Sequence, residues 1–167
     1  MSDLRPEFKK DVGDLIRTSG WKVTLPTIED KGLPHFRVQT LDLGMGNLVT
    51  LPLQLNFKAL NYAVGMDYSE GISLQVLEDK KGKSHEFFKL WRSLAIADDG
   101  TLGEVSKYKQ DIVVDLGSFS GGTFTSYNTL RYTVKGCFPT SVGKYTLVRS
   151  DATLVMYDVQ FMIDGVE

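Results

Sequence analysis

The sequence predicts a mainly β fold, an antiparallel sandwich or barrel of about seven or eight strands with one flanking α-helix, within a single domain over residues 1–167. Three observations carry this. Apolar residues recur at every second position in stretch after stretch, which is strand periodicity. Only one segment, after Ser84, changes to helical spacing. No linker or internal repeat divides the chain, and 42% hydrophobic content in 167 residues is enough to close one core.

The elements follow in order. Residues 1–19 read as an arm, with Phe8, Val12, Leu15 and Ile16 spaced for a short amphipathic helix or a docking segment. Trp21, Val23 and Leu25 alternate with polar residues as a strand, and Pro26–Pro34 is a charged turn. His35–Leu43 continues as a strand with Phe36, Val38 and Thr40 on one face. Gly44-Met-Gly-Asn47 interrupts it. Leu48–Lys58 then places Leu51, Leu53, Leu55 and Phe57 on one side and Thr50, Pro52, Gln54 and Asn56 on the other. The apolar side is expected to join the core. Ile72, Leu74 and Val76 form another strand, closed by the turn Glu78–Lys83.

The helix comes next. Ser84 is placed as its N-cap and Glu86 in its first turn, with Phe87, Leu90, Trp91 and Leu94 turned to the core; Asp98-Asp-Gly100 ends it. Later strands are expected at Asp111–Leu116, Leu130–Lys135, Tyr145–Arg149 and Ala152–Ile163, the last with Tyr157, Val159, Phe161 and Ile163 on one face. Gly117–Ser126 is small and polar and reads as a long hairpin loop.

Composition excludes several functions. Nineteen Lys and Arg against 21 Asp and Glu leave a net charge of −2, without the basic footprint of a nucleic-acid-binding protein. No apolar run reaches the roughly 18 residues of a membrane span, and Met1–Arg17 lacks the apolar centre of a signal peptide. The single Cys137 has no intrachain partner, which suits assembly in a reducing cytoplasm.

Motifs for catalysis fail one by one. Gly44-Met-Gly46 has Val49 where a dinucleotide-binding loop needs its third glycine, and a strand pattern follows instead of a helix. His85-Glu86 has Lys89 where a zinc-protease helix needs its second histidine. Ser118 and Ser120 lack nucleophile-elbow spacing, and Cys137 reads as a small core residue. The pairs Glu78-Asp79 and Asp98-Asp99 read as solvated ends of elements. The expectation is a non-enzymatic protein without cofactor or metal.

Three stretches together resemble a known family. They are Phe57–Gly65 followed by Ile72–Asp79, the aromatic Phe87-Phe-Lys-Leu-Trp91 helix, and Tyr132–Thr140 with Tyr157–Phe161. In the third, Gly136, Phe138 and Pro139 form a Gly-x-Phe-Pro turn ahead of a final core strand. In this order they are similar to the tail tube proteins of contractile phages, and more distantly to tube subunits of pyocin-like and type VI secretion machines. The likeness spans residues 57–163 and is weaker over the first fifty.

The resemblance implies hexameric rings whose sheets join around a lumen and stack into a tube within the virion tail. Its expected partners are other copies of itself, the tail sheath protein, and baseplate and tail-terminator proteins. The tape measure protein and DNA would pass through the lumen without specific binding, and no membrane binding is expected. Within that picture Gly44, Met45, Gly46, Asn47, Leu48 and Val49 are expected to form a hairpin tip for ring stacking. Thr50, Gln54 and Asn56 are expected to face the lumen. Two alternatives remain open: a tube-initiator, adaptor or type VI-like secreted tube, and, in another class, a monomeric ligand-binding β-barrel.

Overall fold

The computed structural model describes residues 20–55, 58–144 and 154–167, with the side chains of 36 and 53–60 left aside. The proposed arm over residues 1–19 and the expected strand Tyr145–Arg149 lie outside the described residues.

Nine strands and two helices are described. They are β1 (Trp21–Thr24), β2 (Val38–Leu43), β3 (Asn47–Leu55), β4 (Lys58–Asp67), β5 (Ile72–Leu77), α1 (Lys83–Ser93), α2 (Val105–Tyr108), β6 (Gln110–Ser120), β7 (Thr123–Val142), β8 (Met156–Met162) and β9 (Gly165–Val166). All described pairings are antiparallel. One sheet runs β1-β6-β7-β8-β5-β2, with the short β9 beside β7, and β3-β4 stand apart as a second sheet of two strands. The expected mainly β antiparallel fold with a flanking helix is observed, as an open sheet in place of a closed barrel.

The long strand β7 links the two halves of the main sheet. Its first part pairs β6 and β9, and from Phe138 onward it pairs β8. The transfer happens at Gly136, which has φ +62° and sits where a Cβ would run into the Asp164 side chain. Glycine is therefore required at this bend. Pro139 follows at a register irregularity, where the missing N–H is tolerated, and is fully buried. The Gly136–Pro139 stretch is thus a bend within one continuous strand, not the turn that its sequence suggests.

Strand alternation builds the core directly. Ile72, Leu74 and Val76 of β5 face Phe161, Val159 and Tyr157 of β8, and all six are buried. Val23, Ile112, Val114 and Val134 bring the other half of the sheet into the same core. Helix α1 closes it with Phe87, Phe88 and Trp91. The Trp91 ring lies 5.3 Å from that of Phe161, and its Nε1–H donates to the Tyr108 carbonyl at 2.7 Å. Leu90 and Leu94 are only half-buried, and Leu94 lies just past the helix end. The buried stripe is Ser84-Phe87-Phe88-Trp91, shifted around the helix from the expected one.

The helix start also differs. Its cap is Gly82, in left-handed conformation, and Ser84 is buried one position inside, donating its hydroxyl to the Leu77 carbonyl at 2.9 Å. The orphan N–H groups are satisfied by the acidic pair of the preceding turn. Glu78 accepts from Ser84 and His85 N–H at 3.0 and 2.8 Å, and Asp79 accepts from Lys83 N–H at 3.0 Å. Glu78-Asp79 is a helix clamp and not solvated punctuation.

Two more expectations are corrected. In β2 an irregularity between Val38 and Thr40 shifts the inward face to Val38, Leu41 and Leu43, leaving Thr40 exposed. Gly117–Ser126 is not a loop: β6 and β7 stay paired to Ser120–Thr123, and only Gly121-Gly122, at φ +56° and +82°, makes the turn. Two consecutive positive φ values give a tight turn that matches strand twist, so no long loop is needed.

Candidate assembly surface

The chain leaves the main sheet at Leu43 and returns opposite it at Ile72, and the whole excursion is the β3-β4 hairpin. Its root is rigid. Gly46, at φ +80°, lies where a Cβ would strike the Tyr68 ring, and Gly71 N–H donates to the Tyr68 carbonyl at 3.0 Å. Asp67 accepts from Ser69 N–H at 2.8 Å and Ser69 Oγ–H at 2.9 Å, and these bonds hold its carboxyl below the ordinary range. Residues Gly44–Gly46 therefore form the hairpin's root; its far end is the 56–57 connection, outside the described residues.

Every residue from Asn47 to Pro52 and from Asn61 to Asp67 is exposed. Leu48 is 61% exposed, Val64 57%, Met45 52%, Leu51 50% and Met66 49%; Tyr62 and Val49 are also open. The expectation that Leu51 joins the core fails, because nothing in the described chain covers the hairpin. The register explains its two faces. Leu51 lies opposite Tyr62 on one face; Thr50 lies opposite Ala63 and Pro52 opposite Asn61 on the other. The sequence continues the same alternation through Leu53 and Leu55 against Gln54, although the side chains of 53–60 are not described and Asn56 lies outside the described residues. A two-stranded hairpin with an uncovered apolar face is marginal in water by itself and suits a surface that a partner covers.

The described residues with chemical potential sit elsewhere and do not converge. Cys137 is buried, donates its Sγ–H to the Val134 carbonyl at 3.2 Å, and burial pushes its thiol up to about 12. The His85 ring lies edge-on to Tyr157 at 5.7 Å, while His35 belongs to a single 3-10 turn before β2. Among the described residues no group of three His, Cys, Asp or Glu side chains is placed to hold a metal ion. No described helix is long and apolar enough to cross a membrane.

Sequence reasoning picked out Met45, Leu48 and Val49 as exposed, and they are. It missed β4 as the hairpin's second strand, with Tyr62, Val64 and Met66 open on it. The signal available was the uncharged run Ala59–Met66, whose β-branched and aromatic residues are too few to mark a strand alone.

No protein-family model matches the chain, and no curated protein matches it. Solved structures do. The tube-terminating cap of the anti-feeding prophage superposes with a TM-score of 0.66 at 18% identity, over 92% of this chain and 89% of that one. The chain shares its fold with proteins of contractile injection systems. A chain of the PVC extracellular contractile injection system's sheath-tube complex, in the extended state, gives 0.66 at 14% identity over 98% and 97% of the two chains. The sheath/tube terminator of the same system gives 0.64 at 16% identity over 92% and 95%. Near-complete coverage on both sides means that the likeness extends over the whole domain and is not confined to one part of it.

Proposed function

We propose that the chain is the structural subunit of the inner tube of a contractile phage-type tail. Copies close into hexameric rings, and the rings stack around a lumen through which DNA and the tape measure protein pass without specific binding. The observation that carries this reading is the β3-β4 hairpin, an apolar, charge-poor arm that no described residue covers, on a fold shared with contractile injection complexes. The hairpin's apolar face, with Leu51 and Tyr62, docks on a neighbouring copy, and its root residues Met45, Leu48 and Val49 meet the next ring. The opposite face, with Thr50 and by alternation Gln54 and Asn56, lines the lumen. The outer surface meets the tail sheath protein, and the tube ends meet baseplate and terminator proteins. The work is mechanical, with no catalytic step, cofactor or membrane contact.

Open strand edges support the same reading. Among the described residues β1 and β2 end the main sheet, and such edges are assembly devices once neighbours cover them. Heterologous contacts that close by rotation give rings, and stacking with residual twist gives a tube. A second reading, a cap or terminator of the tube, is favoured by the likeness to two such proteins. Sedimentation of the purified protein over a concentration series separates the possibilities. A tube subunit gives polydisperse, fast-sedimenting polymers, a terminator gives a single ring-sized species, and a persistent monomer refutes both.

A further inference from the structure

The paired ends of β6 and β7 leave an aromatic face open among the described residues. Phe119 lies opposite Phe124 and the two rings meet at 5.0 Å, yet Phe119 stays 48% exposed. One edge of this hairpin is open as well. β1 pairs with β6 only as far as Trp21 opposite Leu116, and the Gly117 N–H then donates to the Gly20 carbonyl at 2.8 Å. Beyond that bond β6 runs on through Ser118–Ser120 with no described strand on its β1 side. Gly20 is buried at this point, so the chain enters the described domain at the base of the open face.

We propose that residues 6–19 of the same chain occupy this face and edge. Continued in the β1 register, Ser19 falls opposite Ser118, Thr18 opposite Phe119 and Arg17 opposite Ser120, which pairs the open edge of β6. The stripe Phe8, Val12, Leu15 and Ile16 then turns back over Phe119 and Phe124. Lengths match, since residues 6–16 make about 16 Å of helix and Gly117–Gly121 about 16 Å of strand. Chemistry matches too. The same helical spacing puts Glu7, Lys10 and Asp14 on the side away from the stripe, and no charged residue lies between Leu116 and Leu130, so covering the face strands no charge. The tether selects the chain's own segment. A connection of three residues gives an effective concentration of order millimolar, far above that of another copy or a foreign partner in dilute solution. A helix of this length is marginal in water alone, and the aromatic face supplies the apolar surface it needs. This docking belongs to the single subunit and stands apart from the tube reading.

The test uses the full chain. Ser19→Cys with Ser118→Cys is expected to form a disulfide on mild oxidation, while the native Cys137 is buried and stays silent. Oxidising an equal mixture of isotope-labelled and unlabelled chains shows which chain each partner comes from, in free or assembled protein alike. Unmixed peptide masses are expected; mixed masses, or no disulfide, overturn the proposal. Trypsin reads the apolar docking. Cleavage after Arg17 is expected to run roughly tenfold faster in Leu15→Ser with Ile16→Ser than in the unmodified chain, and faster again by a similar factor in Phe119→Ser with Phe124→Ser. Equal cleavage rates in all three proteins overturn the proposal. Should the double phenylalanine variant lose its fold, the Leu15→Ser, Ile16→Ser variant decides alone, since its changes lie outside the described core. None of these readouts depends on whether copies stack, so the tube reading stands or falls separately.

Discussion

Replacing Met45, Leu48 and Val49 by serine is expected to leave single rings intact and abolish long tubes. The magnitude follows from their exposure of 52%, 61% and 43% in the isolated subunit. Fully burying such a side chain contributes about 1.5–3 kcal/mol, so covering the remaining half contributes about 1 kcal/mol each. Three residues give about 3 kcal/mol per subunit contact, or about a hundredfold in its association constant. The loss repeats at each subunit of a ring, so stacking fails as a whole. Subunit stability is expected to change by no more than about 0.5 kcal/mol, because these side chains are already open to solvent in the folded monomer. Thermal melting and negative-stain electron microscopy of the same sample read both quantities together. Tubes of normal length from a normally folded variant would refute the reasoning and move the stacking contact off the hairpin root.

Three further outcomes are expected. Trp91→Ala empties a fully buried site and strands the Tyr108 carbonyl, costing about 3–5 kcal/mol and most of the folded protein; an unchanged melting temperature would place the indole outside the core. The turn Ile28–Lys31 holds Glu29 and Asp30 at φ +46° and +62°, so Glu29→Asn with Asp30→Gly relieves left-handed strain and raises stability by about 1 kcal/mol, seen as a melting point higher by about 3 °C; no rise would mean the turn is unstrained. The Lys83 N–H, with Lys81 N–H and the Arg37 guanidinium, holds the Asp79 carboxyl below its ordinary 3.8, so its contribution is complete above that value and is lost as pH falls through the lower folded-state value. Melting temperature is therefore expected to decline with acid below about pH 4, and less steeply in Asp79→Asn, with equal slopes in the two proteins contradicting the helix-clamp role.

Period-two alternation was legible wherever one strand face is buried. Ile72, Leu74 and Val76 with Tyr157, Val159 and Phe161 announce their burial in the order of the residues. The same rule misled at Leu51, because alternation says that one face avoids water and not which molecule covers it. Gly117–Ser126 read as a loop since serine, threonine and glycine carry little hydrophobic signal; its phenylalanines at 119 and 124 match only once the chain is folded back at Gly121-Gly122. Gly136 and Pro139 read as a turn because both punctuate structure, yet long-range pairing with β8 makes them a bend in one strand. The helix stripe lies three positions earlier than expected because Phe88 meets Tyr157 and Phe161, partners some seventy residues away that local spacing cannot reveal. The clamp of Glu78 and Asp79 on α1 was hidden for a different reason: the helix begins after a left-handed glycine, so Ser84 mimics a cap from inside it.

Electron microscopy of the purified, unmodified chain tests the central claim most directly. The account predicts stacked rings with a central lumen and uniform diameter, lengthening with protein concentration and needing no added metal or nucleotide. Monodisperse single particles of subunit size at every concentration would contradict it.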